Sequence, residues 1–153
     1  MCKFCWTILL ALIVVIGVAV YKFGFVGSVV PAPDGRQALQ LTSSERSLVL
    51  TEMRDFLIAV QNILAATNTE DMPAAAKAAR KVGRAAQTAV PPGLVAKLPM
   101  EFKKLGFSTH SKFDELALDA EQLEDPQQTR EQLAELMKNC VACHATYSLV
   151  ATD

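Results

Sequence analysis

Near the C-terminus, Cys140, Cys143 and His144 fall within five positions of a 153-residue chain that holds only four cysteines and two histidines. Two thiols separated by two residues, with an imidazole directly behind, match the Cys-Xaa-Xaa-Cys-His pattern of covalent c-type haem attachment. The spacing serves that chemistry: both sulfurs can add to vinyl groups on one porphyrin edge, and the adjacent imidazole can then reach the iron as proximal ligand. Zinc would need further ligands, and His110 stands alone while Cys2 and Cys5 precede the apolar N-terminal segment. A thioredoxin-like redox pair would want a strand-to-helix context that the flanking residues do not offer. Zinc, a disulfide and free thiols stay open as alternatives to a single covalent haem c.

The elements that must position this cluster read as helices. Thr42 to Glu45 fits a capping box, and Val49, Met53, Phe56, Leu57, Val60 and Leu64 repeat at steps of three and four, which predicts a first helix over about 43–67 with that face buried. The Ala-rich run after Pro73 predicts a second helix lasting until the Val90-Pro91-Pro92-Gly93 stretch. A third is expected over about 94–120, with Pro99 and Gly106 marking an irregular or kinked stretch. Pro126 opens a fourth, which carries Leu133, Leu136 and Met137 into the cysteine-histidine cluster. No alternating apolar run is long enough for a convincing strand, so the expected fold is all-α: an antiparallel four-helix bundle over residues 42–153.

Upstream, Trp6 to Tyr21 runs without a charge, flanked by Lys3 and Lys22. Sixteen residues span roughly 24 Å as a helix, short of a ~30 Å hydrocarbon core, but Phe23, Phe25 and Val26 extend the apolar run once Lys22 snorkels. Gly17-Val18-Ala19 would suit a signal peptidase, yet the apolar character continues beyond it, which favours an uncleaved anchor over residues 1–25. A lipoprotein does not fit, because its cysteine would follow the apolar run. Pro31, Pro33 and Gly35 then break any helix and predict an extended tether over 26–41. Cys2 and Cys5 repeat the two-residue spacing but lead into Trp6, so they should hold no second haem; free or acylated thiols are what remains for them.

With a formal net charge of −1, the chain lacks the basic surplus a nucleic-acid binder needs. Charge is nonetheless segregated: Lys77 through Lys112 holds eight basic residues against Glu101, and Asp114 through Glu135 holds eight acids against Arg130. Lys77, Arg80, Lys81 and Arg84 form a basic stripe that is either a solvated face or a docking patch for an acidic redox partner. No phosphate loop, paired-carboxylate site or Ser-His-Asp arrangement stands out.

A haem motif near the C-terminus, on the last of four helices, with Tyr147 shortly after it, resembles the class II cytochromes c: the cytochrome c′ family and its low-spin, methionine-ligated relatives. The resemblance covers about residues 42–150. It departs from the family at Ser148, where an arginine usually follows the tyrosine. It implies a left-handed antiparallel bundle with haem between its helices and Tyr147 at the haem pocket. Met53, in Thr51-Glu52-Met53-Arg54, falls where the low-spin members carry their sixth ligand, a thioether that would raise the potential and close the iron to small molecules. Met53 as core filling is the plainer alternative, and His110 is a second candidate, as iron ligand or propionate partner. Covalent haem attachment further implies export across a bacterial inner membrane, with the haem domain in the periplasm.

Three functions follow as expectations. One is a single-electron carrier, not an enzyme, serving a redox protein or a larger respiratory or photosynthetic complex. The second is a five-coordinate haem protein binding nitric oxide or carbon monoxide, and the third an accessory subunit that helps assemble a membrane complex. Membrane lipid is an expected contact in each, and an oligomer stays open.

Overall fold

The computed structural model describes residues 3–152. Helix α1 (Lys3–Val20) passes directly into a π-helical turn, Tyr21–Val26. Together, Phe4–Val26 form 23 residues of mean hydropathy 2.6 with none of the apolar window buried against the rest of the chain. That is long and apolar enough to cross a membrane, because the helix continues through Lys22 instead of stopping at Tyr21. Gly27 ends it with φ of 70°, and a Cβ there would lie 2.5 Å from the Lys97 carbonyl oxygen, so only glycine suits this tight exit.

Strands β1 (Val29–Pro31) and β2 (Gln37–Leu41) follow as an antiparallel pair, turned at Gly35 with φ of 86°. A third strand, β3 (Tyr147–Ala151), lies parallel to β2, so that Gln37 pairs with Tyr147 and Leu41 with Ala151. The purely helical expectation is therefore corrected. Each strand is at most five residues long, and the partner of β2 lies more than a hundred residues away, which no local pattern announces. The stretch expected as a tether is extended, but it is paired and packed, with Leu39 and Leu41 fully buried.

Four long or central helices carry the rest: α2 (Ser43–Asn68), α3 (Met72–Arg80), α5 (Met100–Leu123) and α6 (Pro126–Thr146), with the short α4 (Pro92–Lys97) before α5. The capping box forms as read: Thr42 Oγ1 accepts from the Glu45 amide at 3.3 Å and Glu45 Oε2 from the Thr42 amide at 2.8 Å. Asp71 and Asp125 cap α3 and α6, each accepting backbone N–H bonds that would otherwise be orphaned. Helix α3 stops at Arg80, earlier than its composition predicts. The Asp114 carboxylate occupies the space a Cβ at Gly83 would need and accepts from the Arg84 amide at 3.0 Å, so residues 84–89 continue only as a 3₁₀ turn. The expected kinked third helix is two helices, since Pro99 forces Leu98 into extended backbone; Gly106 sits inside an unbroken α5.

Packing runs in a ring: α2 against α3, α3 against α5, α5 against α6, and α6 back to α2. Their apolar faces meet in a core centred on Phe56, Ile63, Met72, Phe113, Leu116 and Leu136. A second cluster of Leu39, Leu41, Val49, Leu94, Leu98 and Tyr147 closes the end where the sheet lies. Val49 of α2 and Cys143 of α6 both pack into this cluster, so the start of α2 and the end of α6 lie at the same end of the helices.

Candidate functional site

Cys140, Cys143 and His144 occupy the last two turns of α6. Both cysteines are half-buried free thiols, and burial pushes each one up, Cys143 to about 11 with the neighbouring Cys140 adding to the effect. They are thus protonated at neutral pH. The His144 side chain is exposed, and its ring has no hydrogen bond or ion pair among the described residues. No group of three or more His, Cys, Asp or Glu side chains gathers into a metal site among the described residues, so the donor set falls short of a tetrahedral zinc centre.

The face of α6 that turns to α2 is fixed by Arg130, whose guanidinium donates to the Thr67 carbonyl at 3.2 Å. Residues seven and fourteen positions later in a helix return to nearly the same side, which puts Met137 and His144 in line with Arg130. On α2 the same stepping back from Thr67 passes Val60 and reaches Met53. Four apolar side chains beside these two lines are exposed: Leu57 at 69%, Leu64 at 46%, Met137 at 41% and Val141 at 68%. The expectation that Leu57 and Leu64 are buried is corrected here; of that predicted face, Val49 and Phe56 are buried and Met53 and Val60 partly so. Met53 and Cys143 pack against the same sheet-end cluster.

The end of α6 therefore carries two protonated thiols one turn apart and an exposed imidazole, beside a sheet-end cluster that Met53 of α2 also touches. Those residues fit a covalently held haem, whose porphyrin brings four iron ligands of its own and needs one or two from the protein.

Two elements hold the motif's end in place. Arg36, from β1–β2, donates to the carbonyls of His144 at 3.3 Å and Tyr147 at 3.2 Å while its other nitrogens pair with Asp34. It satisfies carbonyls that a helix C-terminus leaves free. Tyr147 begins β3 instead of extending α6, is buried, and meets Phe102 edge-on at 5.3 Å. Its hydroxyl is pushed up by burial first, then by Cys143 and Glu101.

His110 lies elsewhere. It is buried on α5, with Nδ1 2.7 Å from the Val82 carbonyl and Nε2 3.1 Å from Glu52 Oε1. Both ring nitrogens are thus engaged, and the carboxylate and carbonyl partners favour the protonated ring. Burial alone would lower its pKa and is the largest single influence, but Glu52 and the Val82 and Gly83 backbone together raise it. The ring borders a cavity of about 460 Å³ between α2, α5 and the 84–97 segment, to which α6 contributes nothing. Met53 thus shares an apolar cluster with Cys143, whereas His110 is held between Val82 and Glu52.

The basic stripe is half-neutralised. Arg80 pairs with Glu121 through two nitrogens and Arg84 with Asp114 at 3.3 Å, both acids coming from the acidic half of α5. Lys77 and Lys81 stay exposed without partners among the described residues. Cys5 is an exposed free thiol on α1, and Cys2 lies outside the described residues.

Arg36, Glu52 and the cavity escaped sequence reasoning; a lone Glu one position before a candidate ligand carries no local signal. No family model, curated protein or solved structure matches the chain.

Proposed function

We propose that the chain is a membrane-anchored, mono-haem c-type cytochrome of class II character that carries single electrons at the outer face of a bacterial inner membrane. The observation that carries this reading is Cys140-Xaa-Xaa-Cys143-His144 at the end of α6, with Cys143 packed on the same apolar cluster as Met53 of α2. The ring of α2, α3, α5 and α6 supports an antiparallel four-helix bundle, and Phe4–Val26 supports an uncleaved single-pass anchor.

Bound haem supplies an iron that gains and loses one electron. Cys140 and Cys143 would hold the macrocycle as thioethers, and His144 and Met53 would supply the imidazole and thioether donors to its iron. No proton needs to move. Two lysines, Lys77 and Lys81, remain to meet an acidic partner, a weaker patch than the four-residue stripe.

Optical and electron-paramagnetic spectra of both redox states test this. A six-coordinate low-spin iron is expected. A high-spin iron that readily takes carbon monoxide would replace the carrier with a gas-binding protein. Co-purification with a membrane complex whose activity survives loss of the haem would point to an assembly subunit.

A further inference from the structure

The cavity of about 460 Å³ beside His110 has the size of a small-molecule site. Three rings, Phe56, Phe102 and Phe107, lie in its wall, and among its polar lining residues, which include Asp55, Asn62, Lys81, Gln87 and Lys103, Glu52 and His110 form a hydrogen-bonded pair. Both imidazole nitrogens are already engaged by Val82 and Glu52, whereas the Glu52 side chain is 31% exposed and keeps acceptor capacity for a ligand.

The cavity also adjoins the place where the chain leaves the apolar helix. Leu98 and Lys103 line it; Lys103 Nζ donates to the Gly24 carbonyl at 3.4 Å, and the Ser28 amide donates to the Lys97 carbonyl at 2.7 Å. With Phe4–Val26 in a bilayer, the cavity lies at the membrane surface, where apolar molecules dissolved in lipid are concentrated.

We propose that this cavity binds a lipid-phase quinol: an aromatic ring between the phenylalanines, with a ring hydroxyl donating to Glu52. A hydroxyl suits a carboxylate acceptor, and a flat ring suits an aromatic wall. A fatty acid fits less well. Its carboxylate would meet Glu52 and Asp55, and of the two lysines at the cavity Lys103 is engaged with Gly24, which leaves Lys81 alone against two carboxylates. The inference does not depend on haem, because α6 lines none of the cavity.

Isothermal titration of the full-length protein in mild detergent, with ascorbate present so that only binding is read, tests it with trimethylhydroquinone and, separately, laurate. One trimethylhydroquinone per chain is expected. Ala86→Trp fills the cavity from an exposed position, and Glu52→Gln replaces the charged acceptor; each should weaken binding at least about tenfold with far-ultraviolet circular dichroism unchanged. Absence of binding to the wild type, binding that Glu52→Gln leaves intact, or tighter binding of laurate would overturn the proposal.

Discussion

Met53→Leu separates ligation from packing. Met53 is partly buried and touches both apolar clusters, so its loss must be weighed as a core change first. Leucine conserves volume closely, and such swaps in fully buried sites cost under about 1.5 kcal/mol. For a half-buried side chain the expected cost is nearer ~1 kcal/mol, a shift of a few degrees in melting temperature. That is too small to disturb the α2–α6 geometry. The iron, however, would lose its thioether. In holoprotein carrying Met53→Leu the spectrum should therefore change from low-spin to high-spin, carbon monoxide should bind, and the midpoint potential should fall, all with near-native stability. A low-spin spectrum and potential identical to wild type would refute the reasoning and reduce Met53 to core filling. A loss of stability well beyond ~2 kcal/mol would show that the side chain is far more deeply packed than its partial exposure indicates.

Other outcomes follow from the same contacts. Leu39→Ala removes a fully buried side chain from β2 and should cost about 2–5 kcal/mol in denaturant unfolding, whereas a loose tether would tolerate it without change. Gly27→Ala must hold φ of 70° and push a methyl against the Lys97 carbonyl, so it should lower the melting temperature by more than Gly93→Ala, where nothing lies within 4 Å. The raised pKa of His110 makes its contribution to stability fully present below the ordinary value of about 6.5 and lost as pH rises through the folded-state value. Unfolding followed from pH 6 to pH 9 should show this loss in wild type and a flatter profile in His110→Gln; identical slopes would show that the Glu52 pair does not titrate as inferred.

Much of the architecture was legible because its signals are local. Thr42 and Glu45 reciprocally cap α2, Pro126 opens α6 and the apolar run before Lys22 forms α1, each specified by residues within one or two turns. Features set by distant partners were not legible. β2 pairs with β3 across the whole domain, Asp114 ends α3 from another helix, and Arg36 reaches the end of α6 from a hairpin. Leu57 and Leu64 show the limit of periodicity from the other direction: they recur like core residues, yet stand exposed where α2 and α6 leave a face uncovered. At the site, residue types and spacing named Cys140, Cys143 and His144 and the family resemblance named Met53, while the contacts that hold His110 come from Val82 and Glu52, which no local pattern connects to it.

Covalent haem attachment is the claim on which the functional account stands. Intact-mass spectrometry of the full-length protein, produced in cells with an active c-type haem maturation system and stripped of non-covalent ligands by acid denaturation, measures it directly. One haem per chain is predicted for the wild type and none for the Cys140→Ser, Cys143→Ser double variant. A wild-type mass equal to the bare polypeptide, in a membrane fraction where another c-type cytochrome is correctly matured, would contradict it.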